Sequence, residues 1–264
     1  MIIDVHVHCF PEELAEKTVP FLAKRAGVTP HLPGTISALK SSMQNSGISC
    51  SVLQNIATKP GQTETINTWA AEKQQQSSEI ISFGTIHPEY KNIDEELQRI
   101  KALGLKGVKF HPDYQKFYVD TKESLLLYEK IFKLGLVILI HAGIDIGLPA
   151  PYHCTPERLE KVVDNFENEK MIAAHMGGYQ FWSQVKEKLV GRGLYFDTSY
   201  SFDFMPEEEF TEMIKDHGSD KILFGTDSPW ADQAAEVNKI KQLKLSEAEK
   251  KNILAANAVK LLNM

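Results

Sequence analysis

Residues 2–8 read Ile2-Ile3-Asp4-Val5-His6-Val7-His8, and residues 136–143 read Leu136-Val137-Ile138-Leu139-Ile140-His141-Ala142-Gly143. Each is a short apolar, β-branched run that ends on histidine, too brief for a buried helix and rich in strand-forming residues. Six more short apolar runs follow, at Ile48–Ile56, Ile80–His87, Gly107–His111, Met171–His175, Leu194–Thr198 and Ile222–Thr226, three of them also ending on histidine. Between them the apolar period lengthens to that of a helix, near Ile36–Asn45, Thr63–Ser77, Ile93–Leu103, Lys122–Leu134, Pro156–Asn165, Phe181–Val190, Pro206–His217 and Ala231–Leu243. A last helical pattern covers Ser246–Leu262.

Punctuation agrees with this division. Thr155-Pro156 supplies a cap followed by proline at the first helical position, and Pro206 stands similarly. Gly47, Gly104 and Gly135 follow helices, where a left-handed residue commonly ends them, and Ser246 with Glu249 fits a capping box. Eight strand–helix units in 264 residues average about 33 residues each, the size of a βα repeat. The alternation demands parallel strands, and eight of them close into a (β/α)8 TIM barrel, here with a C-terminal helical extension. An open doubly wound sheet is the alternative, but no G-x-G-x-x-G follows the first strand, and Gly177-Gly178 does not fit that fingerprint. No linker or low-complexity segment interrupts the chain, so residues 1–264 are expected to form one domain.

Composition narrows the function classes. With 42% hydrophobic and 24% charged residues the chain can bury a substantial core. A net charge of −6 argues against nucleic acid as a partner, and no apolar run is long enough to span a membrane. Cys9, Cys50 and Cys154 cannot form a complete disulfide framework, which fits a reducing cytoplasm, and the first residues read as a strand rather than a secretion signal. The 27 residues from Cys9 to Thr35 contain no clear helix, and a connection of that length after the first strand would border the barrel mouth.

The chemistry gathers at the strand ends. His6 and His8 lie two apart and share one side of the first strand. Lys109 and His111 end the fourth, His141 the fifth, His175 the sixth and Asp227 the eighth. In a barrel these ends converge, and packing imidazoles and a carboxylate among apolar residues is costly without compensation. A divalent cation offsets that cost, and this donor set suits zinc and its neighbours. A lone strand-end histidine is more often structural, and His87 and His111 taken singly read that way.

The chain resembles the amidohydrolase superfamily, in particular the branch that includes aminocarboxymuconate-semialdehyde decarboxylase. The resemblance rests on His6-Val7-His8, Gly107-Val108-Lys109-Phe110-His111-Pro112, His141-Ala142-Gly143, His175-Met176-Gly177-Gly178, Phe196-Asp197-Thr198-Ser199 and Leu223-Phe224-Gly225-Thr226-Asp227-Ser228-Pro229. The ending Ile253–Leu262 also matches, so nearly the whole chain is covered. The resemblance implies one metal, zinc by expectation, on His6, His8, His141 and Asp227. His175 and Asp227 would serve as acid/base groups, with Asp227 accepting a proton from an activated water. It also implies an alternative in which a carboxylated Lys109 bridges a second metal held by His141 and His175.

Three activities are consistent with this reading. The first is hydrolysis of a small organic, carboxylate-bearing substrate by metal-activated water. The second is metal-dependent, nonoxidative decarboxylation of an unsaturated or aromatic acid. The third is a non-catalytic metal-binding role. Arg25, within the long Phe10–Gly34 segment, and Lys109 are candidates to hold a substrate carboxylate, with His111 as a further second-metal or substrate-binding candidate. That segment would either wall the pocket directly or fold as a small helix on the rim, against a partner subunit if the protein forms a homo-oligomer.

Overall fold

In the computed structural model, which describes residues 1–264, eight parallel strands run in sequence order: β1 (Ile3–Val7), β2 (Cys50–Gln54), β3 (Ile80–Thr85), β4 (Gly107–Phe110), β5 (Val137–Ile140), β6 (Met171–Ala173), β7 (Tyr195–Asp197) and β8 (Ile222–Leu223). The first and last strands meet. The Val5 N–H donates to the Phe224 carbonyl at 2.8 Å, and the Asp227 N–H to the His6 carbonyl at 2.8 Å. A parallel bridge joins Val7 to Ser228. The architecture is the expected (β/α)8 barrel.

Helices ring the strands: α1 (Glu12–Ala26), α2 (Ile36–Ser46), α3 (Thr63–Gln75), α4 (Ile93–Ala102), a short α5 (Pro112–Gln115), α6 (Lys122–Lys133), α7 (Pro156–Asn165), α8 (Trp182–Lys188), α9 (Glu207–His217) and α10 (Gln233–Gln242). The C-terminal extension comprises α11 (Glu247–Lys251), a π-helical turn at Asn252–Ala256 and α12 (Asn257–Leu262). No helix is long and apolar enough to cross a membrane.

Alternation along the strands builds two apolar layers. Val108, Phe110, Ile138 and Ile140 face outward and pack with Leu97, Tyr128 and Ile131 of the surrounding helices. Ile3, Val5, Val52, Phe83, Val137, Leu139 and Leu223 fill the barrel's lower interior, closed from below by Ala255, Ala258, Leu261 and Leu262. Reciprocal Ser246–Glu249 hydrogen bonds start that C-terminal extension as the sequence suggested. The Asn257 amide anchors it to the Ser219 and Ile222 carbonyls at 2.8 and 2.7 Å. With the bottom sealed by side chains, the polar ends of the strands at the top are the surface on which chemistry can be built.

The Cys9–Thr35 connection contains a 15-residue helix, α1, where the sequence showed no clear helical pattern. Two features hide it. Pro20 lies in its middle and removes a backbone donor, and Pro11 precedes it without a side-chain cap. It buries only the narrow stripe Ala15, Val19 and Ala23, and two of these are alanines with little apolar signal.

Candidate metal centre

Strand parity delivers the functional side chains to one place. On β5, Val137 and Leu139 point into the apolar interior, and His141, the next residue of that parity, reaches the top of the barrel. On β1 a register irregularity between Asp4 and Val7 turns His6 to the same interior as Val5. His175 and Asp227 follow the ends of β6 and β8 in left-handed backbone conformations, φ 59° and 67°. Such conformations are uncommon outside glycine and cluster at sites where geometry is imposed. Gly143, with φ 88°, lets the loop after β5 lie directly on Tyr179; a Cβ there would sit 2.2 Å from the Tyr179 nitrogen.

His6, His8 and Asp227 form one cluster, their candidate ligand atoms lying within 4.8 Å of one another. His8 donates through Nδ1 to the Gln54 carbonyl at 2.8 Å, and His6 Nδ1 lies 2.8 Å from an Asp197 carboxylate oxygen. These partners fix the protons on Nδ1 and leave both Nε2 atoms as acceptors. Both Nε2 atoms face the same oxygen, Asp227 Oδ1, at 3.5 Å from His6 and 3.1 Å from His8. Three electron-pair donors thus converge with no proton from their neutral forms between them. A cation would relieve that repulsion, and the donor set fits a divalent metal.

Electrostatics agree. Burial, followed by the Lys109 charge, holds His6 well below the ordinary imidazole pKa, so its ring is neutral as a ligand must be. Burial alone would raise the Asp227 carboxyl, but its contacts with the His8, His6 and His175 imidazoles outweigh it and hold Asp227 below the usual carboxylate range. Lys109 is completely buried, and burial pushes its amine down to about 8. Its Nζ lies 3.2 Å from His6 Nε2, the atom that a cation would use.

The other predicted residues form a second group continuous with the first. His175 Nε2 lies 3.0 Å from His141 Nδ1, and the His175 ring is 5.3 Å from that of His6. His141 is not one of the three tightly convergent donors; it groups instead with His111 and Asp145. Its Nε2 is buried without a hydrogen-bond partner, an orphaned acceptor that a cation would satisfy. The His111 ring stacks on that of His141 at 4.0 Å and 12°. Nearly parallel planes that far apart cannot both point lone pairs at one ion, so His111 and His141 are poorly disposed to share a metal. His111 Nε2 contacts Asp145 at 3.0 Å instead. Arg25 lies at the rim on exposed α1, donating through Nε to the Gly147 carbonyl at 2.7 Å, with its guanidinium 5.9 Å from the Tyr114 ring.

Sequence reasoning gave no role to Asp197, Ser199 or Asp145. Asp197 is fully buried; one oxygen meets His6, while the other accepts from the His175 N–H at 2.9 Å and the Ser199 N–H at 3.1 Å. The Ser199 hydroxyl lies 3.0 Å from both His6 Nδ1 and His175 Nδ1. The signal was available, since Asp197 ends β7 as His141 follows β5. Asp4, also buried, ties β1 to Thr226 and Gln233 beside the site, and burial pushes its carboxyl up to about 7.

Comparison with known proteins now bears on this arrangement. The amidohydrolase family profile matches residues 3–264. The chain belongs to the amidohydrolase family. No curated protein matches it in sequence. Among solved structures this amidohydrolase is similar to 5-carboxyvanillate decarboxylase from Sphingomonas paucimobilis, at 14% identity and a TM-score of 0.73, covering 100% of this chain and 99% of that one. It is similar to a dihydroxybenzoic acid decarboxylase from Polaromonas sp. with bound manganese and 2-nitroresorcinol, at 18% identity and a TM-score of 0.70, covering 99% and 96%. It is also similar to a probable 2-pyrone-4,6-dicarboxylic acid hydrolase from Acinetobacter baumannii with bound citric acid, at 16% identity and a TM-score of 0.69, covering 100% and 99%. At these identities the likeness establishes the shared barrel. Family membership and the His/Asp donor set together make this amidohydrolase a metal-dependent enzyme whose ion is divalent.

Proposed function

We propose that the protein is a metal-dependent hydrolase of a small organic substrate, with residues 1–264 acting as one catalytic barrel. The observation that carries the reading is the convergence of His6 and His8 Nε2 on the Asp227 carboxylate, with His175 beside them. His6, His8 and Asp227 would hold the ion, with His141 as the fourth expected ligand. Zinc is the expected metal, and Lys109 remains the residue through which a second could be bridged. A divalent ion bound there would lower the pKa of water toward neutrality and polarise a carbonyl.

The chain's own residues do the rest. Asp227 is an ionised acceptor positioned to take a proton from the attacking water. His175 can pass that proton to the leaving group, its ring held by the Ser199 carbonyl at 3.0 Å. Asp197 and Gln54 fix the His6 and His8 rings, so no reorientation is needed when charge develops. At the rim, Arg25 keeps guanidinium N–H groups beyond the one on Gly147 for a substrate carboxylate. Three free, buried thiols support the proposed reducing cytoplasm.

Nonoxidative decarboxylation is the second reading, favoured by the decarboxylases that share the fold. The two differ in proton flow: hydrolysis needs an acceptor for a water proton, whereas decarboxylation must deliver a proton to carbon. An ionised Asp227 suits the first. The test is turnover of lactones, esters, amides and aromatic acids in 18O-labelled water by the metal-loaded protein. Hydrolysis places one 18O in the product. Release of carbon dioxide without 18O in the organic product would overturn the hydrolase reading. Metal content unchanged in both His6→Ala and Asp227→Ala would overturn the assignment of the site itself.

A further inference from the structure

The loops after β7 and β8 carry an unusual mixture: Tyr200, Phe202, Asp203 and Phe204 on one, Trp230 and Asp232 on the other. With Glu236 and Lys239 of α10 and the residues following α1, they enclose a cavity of about 290 Å³. We propose that this cavity receives a primary ammonium group, carried by a small organic ligand whose reacting end reaches the histidine cluster. The inference rests on the hydrolase reading only for what happens at that reacting end.

Three observations support it. The aromatic walls Tyr200 and Trp230 offer π faces that attract a cation, while Phe202 is already stacked on Phe210 with the Lys239 ammonium over its ring. Three carboxylates on the lining, Asp203, Asp232 and Glu236, face one lysine, and Lys239 is already shared between Asp203 at 2.6 Å and Glu236 at 2.8 Å. A second carboxylate on the ligand would be repelled here. Finally, Glu236 is almost wholly buried, and its Oε2 has no hydrogen-bond partner. A buried acceptor left unpaired is costly, and a primary ammonium brings the N–H donor that a quaternary one lacks.

Placement connects this cavity to the chemistry. Tyr200 follows Ser199, whose hydroxyl meets His6 and His175. The Trp230 N–H donates to the Asp227 carbonyl at 2.9 Å. The cavity therefore adjoins the donor cluster on the β7–β8 side, while Arg25 borders it on the β4–β5 side through Tyr114 and Gly147.

Calorimetric titration of the metal-loaded protein at neutral pH tests this with two probes of one shape: benzylammonium and benzyl alcohol. Benzylammonium is expected to bind about tenfold more tightly than benzyl alcohol. Glu236→Gln with Asp203→Asn should remove most of that preference, and Trp230→Leu should weaken benzylammonium binding; thermal melting checks that each variant is folded. Equal affinity for ammonium and alcohol, or a preference that survives the two carboxylate substitutions in folded protein, would overturn the proposal. Ammonium binding without hydrolysis of any substrate would remove only the hydrolase reading, and hydrolysis without ammonium preference only this one.

Discussion

Replacing Asp197 by asparagine should cost the protein metal affinity without disturbing the fold. The carboxylate divides its work: one oxygen accepts from the His175 and Ser199 N–H groups, and the other faces His6 Nδ1 at 2.8 Å. Asparagine has one acceptor oxygen. If that oxygen stays with the two backbone donors, the amide NH2 faces the His6 Nδ1 proton. His6 then relieves the donor–donor clash by moving its proton to Nε2, the atom that points at Asp227, and the lone pair for the ion is lost. Loss of such a supporting carboxylate typically lowers metal affinity about 10- to 100-fold, and each tenfold step is about 1.4 kcal/mol. The assay is competition with a fluorescent chelator for the wild type and Asp197→Asn, alongside melting of the metal-free proteins. The isosteric variant should melt within a few degrees of the wild type. Metal affinity within twofold of the wild type, in a folded variant, would refute the tautomer argument.

His175→Asn should reduce kcat about 10²–10⁴-fold with metal retained in elemental analysis; metal lost in step with activity would show that His175 is a ligand. Arg25→Ala should raise KM for a carboxylate substrate more than it lowers kcat, and an unchanged KM in steady-state assays would remove the carboxylate-holding role. His217 is buried at the end of α9, stacked on Phe196, and burial pushes its pKa down to about 4. Because the unfolded imidazole titrates near 6.5, its contribution is fully present above that pH and is lost as pH falls toward 4, reaching about 2 kcal/mol at pH 5. Urea unfolding of the wild type and His217→Gln from pH 7.5 to 5 should show their stability difference shifting by about that amount against the wild type, and parallel pH dependences would refute it.

What could be read in the sequence followed the strength of its periodic signal. β5 was plain because Val137, Ile138, Leu139 and Ile140 are all buried and His141 breaks the run where the interior turns polar. The same contrast marked His6, His8, Lys109, His175 and Asp227. Helix α1 was obscured because two prolines and alanines at buried positions erase the helical pattern, although Gly27 ends it in a left-handed turn. Asp197 was visible as a residue but not as a partner, since nothing in spacing shows that one oxygen meets a residue 191 positions away. The grouping of His141 with His111 and Asp145 depends on ring orientation and on the loop after β5, and neither follows from strand parity.

Closure of the barrel between its first and last strands also has a consequence for how the protein comes into being. Asp4 and Thr226, bonded across that seam, are 222 residues apart, so this contact has very high contact order. On the ribosome, β1 emerges first and must wait for most of the chain with one hydrogen-bonding edge unpaired, a period in which another strand could capture it. His6 and His8 lie on or next to that waiting strand, and Asp227 is delivered with the seam. If His6, His8 and Asp227 hold the ion as proposed, its tight uptake cannot precede closure, and metal occupancy becomes a marker that the seam has formed.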